Sequence, residues 1–471
     1  MIKDIQYLWL ENVYLPGKWQ TGVRLGVDAI GNISSVSFGE AENSDELVNG
    51  IIIPGVPNVH SHAFQRAAAG LTETRPFENS SGTENSFWTW RKIMHDFVTQ
   101  ITPDDQFAIA SQLYLEMLKA GYTAVGEFHY LHLDPTGNPY RNACEIAEQV
   151  VQAAEQVGIG ITLLPALYSV GGYGNVSPNQ GQRRYILAVD TLLKMVEALA
   201  QRQRNDGNGQ VRIGIAPHSI RQVPPKPLAD VLDGFAGIDS TGPIHMHIAE
   251  QRRDVDAHIE YFGTRPLAWL LDNIHVNSHW CLIHATHIDQ TEIKSLASSG
   301  AVAGLCPTTE ANLGDGLFPF SAFLEAGGTW GIGSDSHVSV SPIEELRWLE
   351  YGQRLIRHSR NISAPKKGGA TGARLYREAL KGGAQALSRS IGILEPGYRA
   401  DLLVLDPSHV DFATGREDEL LNSLVFSGNS NPILHVMCGG KWVIRNGHHP
   451  EEEIITNNYK ATIGRLRDMT L

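Results

Sequence analysis

From residue 51 onward, short apolar runs rich in β-branched residues alternate with longer stretches whose apolar positions recur at helical spacing. The short runs cover 51–60, 122–128, 161–168, 211–217, 243–248, 280–285, 301–306 and 329–335. A nearly continuous apolar run of this length reads as a strand buried on both faces, as parallel strands are. Helices are expected between them at 102–120, 139–157, 184–203, 224–236, 252–273, 289–299, 317–326 and 342–359. The first carries the clearest end signals. Thr102 suits the N-cap, Pro103 the first turn, Asp104 and Asp105 the positive end of the dipole, and Gly121 the left-handed position past the end. Roughly eight strands, each followed by a helix, predict an α/β protein of the (β/α)8 TIM-barrel type. A doubly wound open sheet is compatible with the same alternation.

The two chain ends have a different texture. Residues 7–10, 23–27 and 33–38 read as short strands separated by turn signals, and so do 400–405, 433–437 and 441–444, after a last helix near 373–389. The economical arrangement pairs the ends into one small β-sandwich domain, 1–50 with 395–471, beside a barrel at 51–394. Two connections are long, 65–101 and 169–183. Loops of that length in a compact domain are commonly lids, and the aromatic run Phe87-Trp88-Thr89-Trp90 marks the first as one.

Composition narrows the partners. The 471 residues carry a formal net charge of −13, which argues against a nucleic-acid surface or an anionic membrane, though not against an anionic small molecule in a locally basic pocket. The four cysteines are widely separated and form no metal or disulfide spacing, which fits a reducing cytoplasm. The first residues lack the pattern of a signal peptide, and no apolar run approaches the ~20 residues of a membrane span.

Chemistry is concentrated where the predicted strands end, the face on which barrel active sites lie. His60 and His62 close the first strand, and residues i and i+2 of a strand share a side. The fourth strand ends in His218 and Arg221, the fifth in His245, His247 and Glu250, the sixth in His284 and His287, the eighth in Asp335 and His337. A lone histidine at a strand end is most often structural, but a topology that converges four such ends builds a metal site. Three histidines and a carboxylate suit zinc and leave a position for water, whose pKa the metal lowers. Glu250, three residues after His247, can move protons between that water and a leaving group; Asp335 can ligate and orient; His284 can polarise the electrophile or stabilise an oxyanion. No lysine closes the fourth strand, RIGIAPHS, so a carbamylated-lysine bridge between two metals is disfavoured and one ion is expected.

The stretches PGVPNVHSHAFQRAAAGLTE, HIAE, HATH and GSDSH, with EPGYRADLLVLD near the C-terminus, resemble the amidohydrolase superfamily, mononuclear deaminase branch. HSHAFQR, FWTWR, GEFHY, APHSIR, HMHIAEQ, WCLIHATH and GSDSHVSVSPIEELR are similar to those of members acting on a linear amidine, N-formimino-L-glutamate, and the likeness runs over essentially the whole chain. The resemblance implies metal ligands at His60, His62, His247 and Asp335, a proton-shuttling Glu250 and an active-site His284. It implies substrate contacts at Gln65, Arg91, Tyr130, His218 and Arg221, and a homodimer. Arginines on separate loops suit a dicarboxylate, because guanidinium binds carboxylate bidentately. The implied reaction is hydrolytic deamination to N-formyl-L-glutamate and ammonia. By the same analogy His245 faces away from His247, which strand geometry does not predict unless the strand bulges. The alternatives are deamination of another amidine, guanidine, purine or triazine, and a non-catalytic metabolite binder.

Overall fold

The structure, a computed structural model, describes residues 5–71, 73, 94, 98–413 and 415–469. Arg91, the Phe87–Trp90 run and most of the expected first lid lie outside the described residues.

The chain opens with β1 (Gln6–Leu15), β2 (Lys18–Val27), β3 (Ile33–Phe38) and β4 (Glu46–Pro54). The apolar run at 51–53 belongs to β4, which lies between β1 and a strand from the C-terminal end, and not to the first barrel strand as 51–60 suggested. The chain turns off at Gly55. A β-carbon there would stand 2.2 Å from Thr123 Cγ2, so the backbone passes too close for any other residue.

The parallel strands follow in order: β5 (Val56–Ser61), β6 (Tyr122–His129), β7 (Gly160–Leu167), β8 (Val211–Ile213), β9 (Ala216–Pro217), β10 (Ile244–Ile248), β11 (Trp280–His284), β12 (Val302–Leu305) and β13 (Thr329–Ile332). They form two arcs, β5-β6-β7-β8 with β9 on β7, and β10-β11-β12-β13. Isolated parallel bridges join the arcs at both seams, Ile215 with Ile244 and Ser61 with Asp335. The strand expected at 211–217 is two short pieces interrupted at Gly214. Val59, Cys281, Ile283, Val302, Cys306 and Ala386 form a fully buried cluster between strands of both arcs and the helix Thr371–Ala386. That helix crosses the strands closely: a β-carbon on Gly382 would lie 1.7 Å from the Trp330 carbonyl oxygen.

The last strands are β14 (Leu402–Leu405), β15 (Ile433–Cys438) and β16 (Lys441–Ile444). Both chain ends pair, as expected, with β14 antiparallel to β4. They do so in one seven-stranded sheet, β16-β15-β14-β4-β1-β2-β3, and not in two stacked sheets.

The helix Pro103–Ala120 has its full capping box, Thr102 with Asp105, and Gly121 stands at φ 103°. The single helix expected over 252–273 is two, Arg252–Phe262 and Pro266–Asn273, because Gly263 ends the first in a left-handed turn and Pro266 starts the second. Three helices were not expected: Pro307–Leu313, Asp418–Phe426 and Glu452–Asp468. The last buries only Ile455 and Leu466, too few to mark an apolar stripe, and is tied to Pro103–Ala120 by the Lys119–Glu452 ion pair at 2.5 Å. Among the described residues no helix is long and apolar enough to cross a membrane.

Candidate metal and catalytic site

Three imidazoles and one carboxylate meet at the C-terminal ends of β5, β10 and β13. His60 Nε2 lies 3.1 Å from His247 Nε2 and 3.4 Å from Asp335 Oδ1, and His62 Nε2 lies 3.5 Å from the same oxygen. A tetrahedron of metal–ligand bonds of 2.0–2.1 Å has edges of about 3.3 Å, so these separations match a shared ion. The strand ends are tied together. Asp335 N–H donates to the His60 carbonyl at 3.0 Å, and His62 N–H to the Asp335 carbonyl at 3.3 Å.

The tautomers agree. His62 Nδ1–H donates to the Phe128 carbonyl at 2.8 Å, and His247 Nδ1–H to the His218 carbonyl at 3.1 Å. Each ring therefore turns an Nε2 lone pair to the centre, the arrangement that outer hydrogen-bond partners impose on metal-binding histidines. Burial, with the neighbouring imidazoles, holds His60 and His247 well below the usual histidine value. Burial also lowers His62, against Asp335 and the Phe128 carbonyl. Neutral imidazole is the ligating form. Lone pairs and a carboxylate facing one another in a buried space repel unless a cation lies among them, so the donor set fits a divalent ion.

Asp335 divides its oxygens. Oδ1 faces His60 and His62, and Oδ2 stands 3.8 Å from His284 Nε2. His284 Nε2 is also 3.7 Å from Glu250 Oε1, and its Nδ1 is 3.3 Å from Glu310 Oε1. Burial opposes a charge on His284, but Glu250, the hydrogen bond to Glu310, and Asp335 outweigh it and push the imidazole up to about 10. Burial raises Glu250 to about 7, with Asp254 and Asp335 acting in the same sense against His284 and Arg221. Five non-glycine residues here adopt left-handed backbone: Ala249 (φ 48°), His284 (68°), Ala285 (49°), Asp335 (47°) and His337 (60°). Strain of this kind, of order 1–3 kcal/mol each, persists where surrounding structure over-determines a functional geometry.

A cavity of about 590 Å³, mouth included, opens over this centre, and Gln65, Tyr130, His218 and Arg221 all line it. Gln65 Nε2 donates to Tyr130 Oη at 2.9 Å. His218 follows β9, and its carbonyl accepts both the His247 backbone N–H at 3.0 Å and the ring proton. Arg221 Nη1 is engaged by Asp254, from the first turn of Arg252–Phe262. Of the expected contacts, only Arg91 lies outside the described residues.

The other strand-end histidines have separate places. His245 does share the inward face with His247, so no bulge is required. It sits about 6–7 Å deeper along β10, where Nε2 donates to the Ala386 carbonyl at 2.8 Å. His287 Nε2 donates to the Asp315 carbonyl at 2.8 Å, and His337 Nδ1 lies 3.0 Å from Ser334 Oγ. His129 and His132 are buried edge to face, 5.3 Å apart. Four cavity residues escaped the sequence reading: Met94, Tyr168, Tyr185 and Leu313. Tyr168 directly follows β7, so the strand-end rule had the signal for it. Glu310 had none, since it lies on the unexpected helix Pro307–Leu313.

Comparison with known proteins gives the family. A model of the amidohydrolase family matches residues 51–443. A formimidoylglutamate deiminase of Pseudomonas aeruginosa is 45% identical over 461 residues, 98% of this chain and 99% of its own. The crystal structure of an amidohydrolase from Brucella melitensis superposes with a TM-score of 0.90 at 39% identity, covering 98% of this chain and 99% of that one. An adenosine deaminase from Xanthomonas campestris with bound zinc shares the fold, with a TM-score of 0.80 at 20% identity over 98% of each chain. With most of its length matched by the family model and nearly all of it aligned to a relative of this identity, the chain belongs to the amidohydrolase family.

Proposed function

We propose that the chain hydrolyses N-formimino-L-glutamate to N-formyl-L-glutamate and ammonia with one divalent ion, zinc, held by His60, His62, His247 and Asp335. The observation that carries this reading is the 45% identity, end to end, with a relative named for that activity. Metal dependence is a property of the family, and the ligand separations of 3.1–3.5 Å support it here. Two arcs of parallel strands bridged at both seams support a (β/α)8 barrel that starts at Val56 and runs to about residue 394, with the chain through Pro54 and residues 395–471 as a small β domain against it.

The reaction adds water across the formimino C=N. A C–O bond forms, the bond from that carbon to the terminal nitrogen breaks, and the protons of water end on ammonia. A divalent ion at this position supplies Lewis acidity, making water nucleophilic near neutral pH. Glu250, raised towards neutrality, is suited to take a proton from the water oxygen and return it to the departing nitrogen. His284, with Glu250, Glu310 and Asp335 around its ring, is suited to position the attacking water and to donate from Nε2–H to the developing charge on oxygen. Asp335 Oδ2, on the His284 side, orients the attacking oxygen.

The partner is a small dicarboxylate. Arg221 and Arg91 clamp its carboxylates, and His218, Tyr130 and Gln65 complete the contacts. Asp254 holds Arg221 in place, which reduces the entropy lost when substrate arrives. Arg221→Gln therefore raises KM about 10- to 100-fold, the worth of a charge-assisted hydrogen bond, with a smaller change in kcat. Steady-state kinetics checks this, and an unchanged KM removes Arg221 from the carboxylate site. We further propose a cytoplasmic homodimer that binds neither nucleic acid nor membrane. Four buried free thiols suit a reducing compartment, and the net charge of −13 disfavours anionic partners.

The deciding experiment is ammonia release by zinc-replete protein from N-formimino-L-glutamate, beside N-formimino-L-aspartate, N-guanidino-L-glutamate and a purine. Fast turnover of the first alone is expected. No release from it, with zinc present, overturns the substrate.

A further inference from the structure

Glu127 is an acid that the proposed chemistry does not use. It stands on β6, is 1% exposed and faces the back of the metal-binding turn. Three donors converge on its carboxylate: Ser61 Oγ at 2.5 Å, Ala63 N–H at 2.6 Å and Tyr114 Oη at 3.0 Å. Ser61 and Ala63 flank His62, and Ser61 separates it from His60. Two of the three donors are thus the residues on which the His60–His62 spacing depends.

A second buried group closes on the same turn from the other strand. His337 Nε2 lies 3.3 Å from His62 N and 3.2 Å from Ser61 Oγ. Its Nδ1 reaches Ser334 Oγ at 3.0 Å, and that oxygen accepts from Asn58 Nδ2 at 2.7 Å. Asn58 Oδ1 in turn accepts from His60 N at 3.2 Å and Ser334 N at 3.1 Å. The chain Glu127–Ser61–His337–Ser334–Asn58 runs beneath the ligands and crosses from β6 through β5 to the turn after β13. None of its members is among the four ligating groups. All five are buried, so water cannot replace a lost contact without entering the core.

The need for such a brace is physical. His60 and His62 come from one strand end and Asp335 from another, and metal–ligand distances tolerate only about 0.2 Å of error. The backbone at Asp335 and His337 is left-handed and relaxes unless held. We propose that Glu127, acting through Ser61 and Ala63 and opposed by His337, is a positioning residue that keeps the His60-Ser61-His62 turn in register with Asp335 and so sets how tightly the protein retains its metal. The inference rests on the metal reading above. It assigns Glu127 no contact with substrate.

The test is the rate at which purified, zinc-loaded protein releases zinc to a chromogenic chelator, read with thermal unfolding. Glu127→Met, similar in length but unable to accept a hydrogen bond, is expected to lose zinc about 10- to 100-fold faster, the usual cost of removing an outer partner of a metal site. Glu127→Gln restores one acceptor for Ala63 N–H and recovers most of the loss. Tyr114→Phe removes the third donor without touching the turn and releases zinc within about twofold of wild type. If Glu127→Met does not fold, Ser61→Ala carries the test, with release about threefold or more faster. Glu127→Met within twofold of wild type, or Tyr114→Phe as fast as Glu127→Met, overturns the brace. Ser61→Ala within twofold does so if it stands alone. Wild-type protein that holds no zinc, or His60→Ala that holds it normally, overturns the metal reading itself and the brace with it.

Discussion

Glu250→Gln lowers kcat about 10³-fold while zinc content stays at the wild-type level. Glutamine keeps the size of the side chain but cannot take and return a proton. General acid–base catalysis of this kind contributes roughly 10²–10⁴-fold. The position suits proton transfer, because Glu250 is 9% exposed, pushed up to about 7, and 3.7 Å from His284 Nε2. KM moves little, because the residues proposed to bind the carboxylates are untouched. The measurement pairs steady-state kinetics with metal analysis on one preparation. A kcat within about tenfold of wild type removes the proton shuttle from Glu250, and loss of zinc in that variant reassigns it to the ligand set.

His60→Ala loses zinc and activity together. His60 is common to both groups of side chains whose ligating atoms converge, with His62 and His247 and with His284 and Asp335. Removing it takes away one of four donors and leaves a void in a fully buried position. Without the ion, several kcal/mol of transition-state stabilisation disappear, roughly 10³-fold or more in rate. Stripping wild-type protein with a chelator has the same effect, and added zinc reverses it there but not in the variant. His245→Gln is the contrasting case. That histidine shares the face of His247 but bonds the Ala386 carbonyl, and its loss leaves zinc content unchanged. Normal occupancy in His60→Ala, or loss of zinc in His245→Gln, revises the ligand set.

The expected strands fall close to the observed ones because buried parallel strands are nearly continuous apolar runs. The helix Pro103–Ala120 was legible to the residue, since Thr102, Pro103 and Gly121 each carry a local backbone reason to stand where they do. The first strand was misjudged for the opposite reason. The apolar run 51–53 continues almost unbroken into Val56 and Val59, and periodicity cannot show that β4 and β5 belong to different sheets. The Pro54-Gly55 turn signal and the close approach of Gly55 to Thr123 mark the break. Glu452–Asp468 has no apolar stripe to read, since it buries only Ile455 and Leu466, whereas Asp418–Phe426 carries one in Leu420, Leu421, Leu424 and Val425 that the expected elements leave out.

Local order along the chain determined the alternation of elements, the capped helix ends and the accumulation of His, Asp and Glu where strands finish. These depend on backbone sterics, hydrogen-bond caps and side-chain periodicity, all acting within a few residues. Which polar residue at each strand end reaches the centre depends on tertiary structure; the resemblance anticipated the choice, but periodicity did not. His247 and not His245, His284 and not His287, and Asp335 and not His337 face the cavity. Periodicity specifies a face, whereas depth along a strand and the left-handed turns after it depend on what packs against them. The partners of the working groups, Glu310 behind His284, Asp254 on Arg221 and Glu127 on Ser61 and Ala63 beside His62, come from 26 to 66 residues away along the chain. No short-range signal announces such partners, because a buried hydrogen bond is specified by where two elements meet and not by either one alone.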